Sequence, residues 1–453
     1  MEREATAALA RFAAGLTYDD IPERTREAGK RLLLDALACA LAGHRGDETH
    51  QVAALAGALA QSRESSIIGG DRLSLAGATV LNGYLVTAVT MCDVHRPTAT
   101  HVTPEVVPPA LAIAERDARS GRDLLVALAV GCETTTRVGV GLDYKAFRDR
   151  GWHGPGVIGP FGAAAAVGRL RGFDADTMAA AFGLAGSQAA GTYAAWGTPT
   201  VKFHQCRGAL SGLLAALLAE QKFVATRQFL TAADGGLYQS YSNGGHPEAV
   251  TDSLGARWEL EQIALRLWPS ASATQGMVTA MFDLVNAHRL TPARTKRLRV
   301  SLGKGAYDLH AGFSRWQGKF EALLSAHYAA AAVLHDGELS LAQFERERYT
   351  DPTLQRFAAQ QVEVACDPTL IASQAVVEAD TAEGTTITVR CEHPRGAPEN
   401  PLSWAELEKK FRTYARARLS DSRIEQALRI VSHLERLDST QTLMELLRSE
   451  RGA

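Results

Sequence analysis

Along the first half of the chain, apolar residues recur at i, i+3 and i+4, in blocks broken by glycine, proline or short polar runs. That spacing belongs to helices that bury one face. It predicts helices over residues 7–16, 21–42, 51–60, 75–90, 106–114, 121–141, 161–170, 175–190 and 208–219. Residues 65–70 read as a short strand or loop, and 197–204 as a loop carrying Lys202 and His204. The second helix has Pro22 and Glu23 near its first turn, where a missing N–H costs nothing and an acid meets the positive end of the helix. Gly43 is its natural stop.

After about residue 260 the period changes to two. Strands are predicted over 298–302 and 361–366, and a hairpin over 375–379 and 385–391, turning across Ala382-Glu383-Gly384. Helices over 321–334 and 341–347 lie between them. Residues 394–401 read as a linker, and 404–447 are helical again. The expected fold is mainly α with a smaller α+β domain: an all-helical large domain over 1–261, an α+β lid domain over 262–400, and C-terminal helices over 401–453 packing on the large domain.

Composition narrows the functional classes. The 453 residues are 46% hydrophobic and 22% charged, ordinary for a globular protein, and the net charge of −2 gives no footing for nucleic acid or an anionic membrane. The six cysteines are scattered without a CxxC pair, which argues against a zinc site or disulfide framework and fits a reducing compartment. They read as buried small hydrophobes. Met1-Glu2-Arg3-Glu4 lacks the apolar core of a signal peptide, and no uninterrupted apolar run reaches membrane-spanning length. A cytoplasmic protein is expected.

Two stretches carry candidate chemistry. In Met91-Cys92-Asp93-Val94-His95-Arg96-Pro97-Thr98-Ala99-Thr100-His101-Val102-Thr103-Pro104, a carboxylate and two imidazoles sit in a loop stiffened by prolines. Asp93 either caps a helix or orients an imidazole. The second stretch is Gly151-Trp152-His153-Gly154-Pro155-Gly156-Val157-Ile158-Gly159-Pro160. Its bare Gly-x-Gly-x-x-Gly pattern is not a dinucleotide site, because no β-branched strand precedes it and no βαβ unit follows. Its glycines, Gly156 among them, let the backbone turn tightly and approach a bound group. The helix that follows points its amides back toward His153, where they could hold a carboxylate.

Leu33-Leu34-Asp35-Ala36-Leu37, Asp93-Val94-His95 with His101, Gly151-Trp152-His153, Ala185-Gly186-Ser187-Gln188-Ala189, Gly197-Thr198 with His204, and Pro394-Arg395-Gly396 with Pro398-Glu399-Asn400-Pro401-Leu402-Ser403 occur in this order. Together they resemble the blocks of the MmgE/PrpD family over nearly the full length. The resemblance implies a helical large domain, a lid domain, a homodimer, an active site between the domains, small di- or tricarboxylate substrates, and no metal or organic cofactor. It places Asp93, His101 and His153 at active-site positions. The family's lysine three residues before His204 is Val201 here, with Lys202 shifted by one. A second family lysine is Arg266, ahead of Trp268-Pro269, and Ser270-Ala271 follow without the relatives' Cys or His. Leu323-Leu324 replace a Lys-Phe pair that recurs upstream as Lys319-Phe320, while Ser325 and Tyr328 remain.

The implied reaction removes a proton α to a carboxylate and then expels a β leaving group or re-protonates the carbon. His101 or His153 would be the base and the other the acid. Asp93 would steady an imidazole, Tyr328 would donate a hydrogen bond or proton, and Lys202, Arg266 and Gly156 would hold carboxylates, with His95 and His204 in support. His327 and His335 read as structural, and Glu345 to Arg348 as a solvated charged face. The first expectation is a cofactor-independent dehydratase resembling 2-methylcitrate dehydratase. An epimerase or decarboxylase of the same family is the alternative, and a catalytically silent carboxylate-binding paralogue is a third reading.

Overall fold

The alanine- and leucine-rich blocks fold as helices: α1 (Ala5–Gly15), α2 (Glu23–Gly43), α3 (Thr49–Ala58), α4 (Leu75–Thr87), α5 (Thr103–Arg116), α6 (Gly121–Val140), α7 (Tyr144–Asp149), α8 (Gly154–Leu170), α9 (Ala175–Gly186) and α10 (Thr200–Glu220). The computed structural model describes residues 4–449, so Met1 to Arg3 of the stretch read for a signal peptide lie outside the described residues. The chain forms two units, Met1–Ile263 with Ser403–Ala453, and Ala264–Leu402.

In the first unit α8 is the central helix. Every residue from Gly154 to Leu170 is buried except Arg169, as expected of a helix apolar on all sides. It packs on α5, α6, α9 and α10. At the crossing with α10, a Cβ on Gly212 would come within 2.5 Å of the Pro160 carbonyl oxygen, so glycine there sets the helix separation.

The structure corrects three boundaries. Helix α8 begins at Gly154 rather than 161, because Pro155 occupies the first turn, where its missing N–H is harmless, and Pro160 is tolerated inside. Helix α5 likewise starts at Thr103, with Pro104 in its first turn and Pro108 and Pro109 within it. Helix α10 begins at Thr200, so Lys202 and His204 are helical rather than on a loop.

In the second unit four strands, β1 (Thr295–Leu302), β2 (Val362–Cys366), β3 (Ala375–Thr381) and β4 (Thr386–Cys391), form one sheet in the order β2-β1-β3-β4. β1 runs parallel to β2, pairing Leu298 with Val362, and antiparallel to β3, pairing Val300 with Val377. β3 and β4 are a hairpin, with Gly384 supplying the left-handed turn residue at φ 85°. Ala375, Val377 and Ala379 alternate into a core shared with helices α11 (Gln275–Asn286) and α12 (Ala326–Asp336). The 394–402 segment is pinned by its own side chain: Arg395 donates to Asn400 Oδ1 at 2.8 Å and to the Pro401 carbonyl at 2.6 Å.

Ser403 then opens α13 (Trp404–Ala415) with a capping box to Glu406, and the chain rejoins the helical unit. Helix α13 packs on α2. There Lys410 Nζ meets Asp35 Oδ1 at 2.6 Å, both side chains being buried. Lys410 also donates to the Met91 carbonyl at 3.3 Å, at the start of the 91–104 stretch. A second buried pair, Arg137 with Glu133 at 2.6 Å, is fully bonded, Arg137 donating to the carbonyls of Val250, Asp252 and Arg257. Among the described residues no helix is long and apolar enough to cross a membrane, and no group of three or more His, Cys, Asp and Glu side chains could hold a metal ion. Five of the six cysteines are buried, and Cys366 is exposed.

Candidate active site

The 91–104 stretch closes on itself before α5. His95 and Thr100 exchange main-chain hydrogen bonds of 2.7 and 3.3 Å around a short turn, with Ala99 left-handed at φ 44°. Asp93 is wholly buried. Its carboxylate accepts the Val102 N–H at 3.0 Å, the Thr103 N–H at 3.1 Å and the Thr103 hydroxyl. It therefore caps α5, whose first residues have no other capping side chain. Burial nonetheless raises the Asp93 carboxyl above its ordinary range, against the pull of Thr103 and His101.

The steadying of His101 is done by the backbone of Asp93. His101 Nδ1 lies 2.6 Å from the Asp93 carbonyl oxygen, with Cys92 Sγ 3.6 Å from the same nitrogen. A carbonyl can only accept, so Nδ1 carries the hydrogen and the neutral ring keeps its lone pair on Nε2. His101 is thus fixed in the tautomer a general base requires.

His153 stands at the N-cap of α8, with no side-chain cap on the helix amides that follow it. Its N–H donates to the Gly191 carbonyl at 3.0 Å, and Tyr193 N–H donates to Gly151 at 2.7 Å, so the 190–193 strap is stitched beside it. His153 Nδ1 lies 3.0 Å from Nδ1 of His204, which α10 presents from its second turn. One ring must donate and the other accept. The donor then has a free Nε2 lone pair and the acceptor an Nε2–H, a base and an acid side by side. Glycines make room for the pair. A Cβ at Gly191, whose φ is 126°, would fall 3.0 Å from His204 Nδ1, and one at Gly156 would fall 2.1 Å from the Ala190 carbonyl oxygen. Pro160, having no N–H, also leaves the Gly156 carbonyl unclaimed by the helix. That oxygen instead accepts Ala190 N–H at 3.1 Å and Arg207 Nη2 at 2.9 Å, tying the 186–191 segment to α8. Gly156 is therefore a packing residue, where a side chain would collide with the Ala190 carbonyl.

Burial lowers the basicity of His153 well below the ordinary imidazole range, with His204, His101 and Arg148 adding to the effect. His204 is lowered by burial and then by Arg207. Both rings are consequently neutral near pH 7. A base of this kind works until it is protonated, so the acid limb of kcat/KM is expected below 6.5, the ordinary imidazole value. A profile taken from about pH 4 to about pH 8 checks this, and an acid limb at or above 6.5 contradicts it.

The other sequence candidates divide. Lys202 is buried and donates to the Ala88 carbonyl at the end of α4, a structural use. His95 is buried, bonds Thr98 Oγ1 at 2.8 Å, and has Nε2 3.4 Å from Glu259, long for a hydrogen bond; burial lowers its pKa against the pull of Glu259. It braces the loop. In the second unit Arg266 is buried and donates to the Ser270 carbonyl at 3.0 Å. Tyr328 is wholly buried between Trp316 and Phe344, and its hydroxyl donates to the Gln343 carbonyl. That bond occupies the proton assigned to catalysis from sequence.

Two residues escaped the sequence reading. Glu105, in the first turn of α5, is wholly buried, with no hydrogen-bond partner for either carboxyl oxygen among the described residues. Burial, then Asp93 and Cys92, push its carboxyl well above the usual range, which favours the uncharged form. A lone acid at the head of an apolar run was the available signal. Arg148 of α7 lies with its guanidinium carbon 3.2 Å from the Tyr193 ring centre, and that ring packs edge-on to His153 at 5.1 Å. It sits five residues before His153, in a stretch that reads as an ordinary charged helix face.

The sequence matches the MmgE/PrpD N-terminal domain over residues 7–249 and the MmgE/PrpD C-terminal domain over residues 268–436. It is 29% identical over 480 residues to a cis-aconitate decarboxylase-like protein of Aspergillus oryzae, covering 99% of this chain and 98% of that one. It is 27% identical over 470 residues to the cis-aconitate decarboxylase of Aspergillus terreus, covering 98% and 95%, and 28% identical over 468 residues to that of Homo sapiens, covering 99% and 95%.

Proposed function

Because this chain belongs to the MmgE/PrpD family, we propose that it is a lyase acting on a small di- or tricarboxylate, with His153, His204 and His101 moving the protons and no cofactor taking part. The observation that carries the reading is the pair of neutral imidazoles touching through Nδ1 at 3.0 Å beside the uncapped start of α8. Such a pair offers one lone pair and one N–H to a bound acid, while the helix end favours its negative charge.

Two outcomes use the same traffic. In dehydration, an imidazole takes the proton α to a carboxylate, and the β hydroxyl departs as water with a proton from the partner. In decarboxylation, the C–C bond to a carboxylate breaks, CO2 leaves, and the electron pair on carbon takes a proton from an imidazole N–H. Decarboxylation takes precedence over the dehydratase expected from sequence, because relatives spanning nearly the whole chain bear the name cis-aconitate decarboxylase.

Incubation with cis-aconitate, 2-methylcitrate and iminodisuccinate tests the reading. CO2 release from cis-aconitate is expected. Ultraviolet absorbance from a new double bond in 2-methylcitrate would restore the dehydratase. A change confined to the optical rotation of iminodisuccinate would replace the lyase by an epimerase, and binding of all three without turnover would make the protein catalytically silent.

A further inference from the structure

We propose that Arg148 is the substrate-holding cation of this site, receiving a carboxylate beside His153 in place of the lysine that this chain lacks at position 201; the assignment rests on the function proposed above. The other cations nearby are already engaged. Lys202, the shifted lysine, is turned into the core on the Ala88 carbonyl. Arg207 is committed to the carbonyls of Gln188, Gly156 and Ala190. On and next to α7, Lys145 pairs with Asp149 at 2.5 Å, and Arg150 donates to the Ser242 carbonyl and Asn243 Oδ1. Arg148 differs from all of these. Among the described residues it has no carboxylate within ion-pair distance; its partner is Tyr193, whose ring face it covers and whose hydroxyl it hydrogen-bonds.

An arginine laid on an aromatic ring keeps its planar fork directed and its edge available, the geometry that grips a carboxylate through two parallel hydrogen bonds. The placement suits the chemistry. The guanidinium and His153 both lie against the Tyr193 ring, whose centre is 3.2 Å from the guanidinium carbon and 5.1 Å from the centre of the His153 ring. Arg148 is also close enough for its charge to lower the basicity of His153. A bound carboxylate would partly offset that charge, so substrate binding would raise the basicity of the ring that must take a proton. The substrate is thus a small acid with one carboxylate on Arg148 and its reacting carbon over the imidazole pair.

The test uses the full-length protein, cis-aconitate as probe, and the variants R148Q and R148K, with folding checked by circular dichroism and thermal midpoint. R148Q is expected to weaken cis-aconitate binding in calorimetry and to raise KM by roughly ten- to hundredfold, with a smaller change in kcat. R148K should recover part of the affinity, and added salt should weaken the wild type more than R148Q. Unchanged affinity and KM in R148Q, while the wild type binds and turns over, overturns the role of Arg148 and leaves the lyase reading standing. Wild-type protein that binds neither cis-aconitate nor 2-methylcitrate overturns both. A lower thermal midpoint with unchanged KM would make Arg148 a packing residue only.

Discussion

Changing His153 to asparagine is expected to lower kcat/KM by about two to four orders of magnitude. Asparagine can place an amide nitrogen near the Nδ1 position, so the bond to His204 at 3.0 Å has a substitute, while the outer ring nitrogen is lost. The change therefore separates proton transfer from support of the pair. His204→Asn should cost a comparable factor, and the double variant should cost far less than the product, because the two rings share one proton and act as a unit. Rates of the three variants under saturating and limiting substrate, with thermal midpoints as a control for the buried positions, decide the matter. Wild-type kcat/KM in properly folded His153→Asn protein would remove this residue from the chemistry.

The largest stability effect is expected at Asp35 and Lys410. Both side chains are buried and meet at 2.6 Å. Burial disfavours the Lys410 charge, but Asp35, with Cys39 and Tyr414 adding to it, more than offsets this and holds the ammonium above the ordinary lysine range. Asp35→Asn leaves that charge buried with a weaker partner, a change that costs about 3–5 kcal/mol. Denaturant unfolding should show the loss, and the double replacement D35L with K410M should recover much of it, because the penalty comes from the stranded charge. Lys410 also holds the Met91 carbonyl. The single variant should thus quicken amide exchange through residues 91–101 and reduce activity beyond what unfolding explains. Stability within about 1 kcal/mol of the wild type would show that the pair carries little.

The helices were legible wherever one face was apolar and the ends were conventional, as in α2 and α6. The alternation of β3 and β4, with glycine in the turn between them, gave the hairpin to within a residue or two. Helix starts failed where proline led, at Pro104 and Pro155, because proline in a first turn looks like a loop when read by periodicity alone. The start of α10 is hidden for a different reason: Lys202 and His204 are buried, toward the core and the site, so polar residues stand where an apolar stripe would mark the helix. His101 and His153 were legible through their motifs. The capping role of Asp93 was one of two readings the sequence offered; what no pattern could reveal was that His204 pairs with His153, that the Asp93 carbonyl steadies His101, and that Tyr328 spends its hydroxyl on Gln343.

The return of the chain at Ser403 has a cost in time. Asp35 and Lys410 are 375 positions apart, so their pairing waits until almost the entire polypeptide has left the ribosome. Until then α2 holds a carboxylate whose cation has yet to be synthesised, and the Met91 carbonyl lacks one of its donors. The helical unit is begun first and completed last, and the loop bearing His101 gains its final brace at the end of translation.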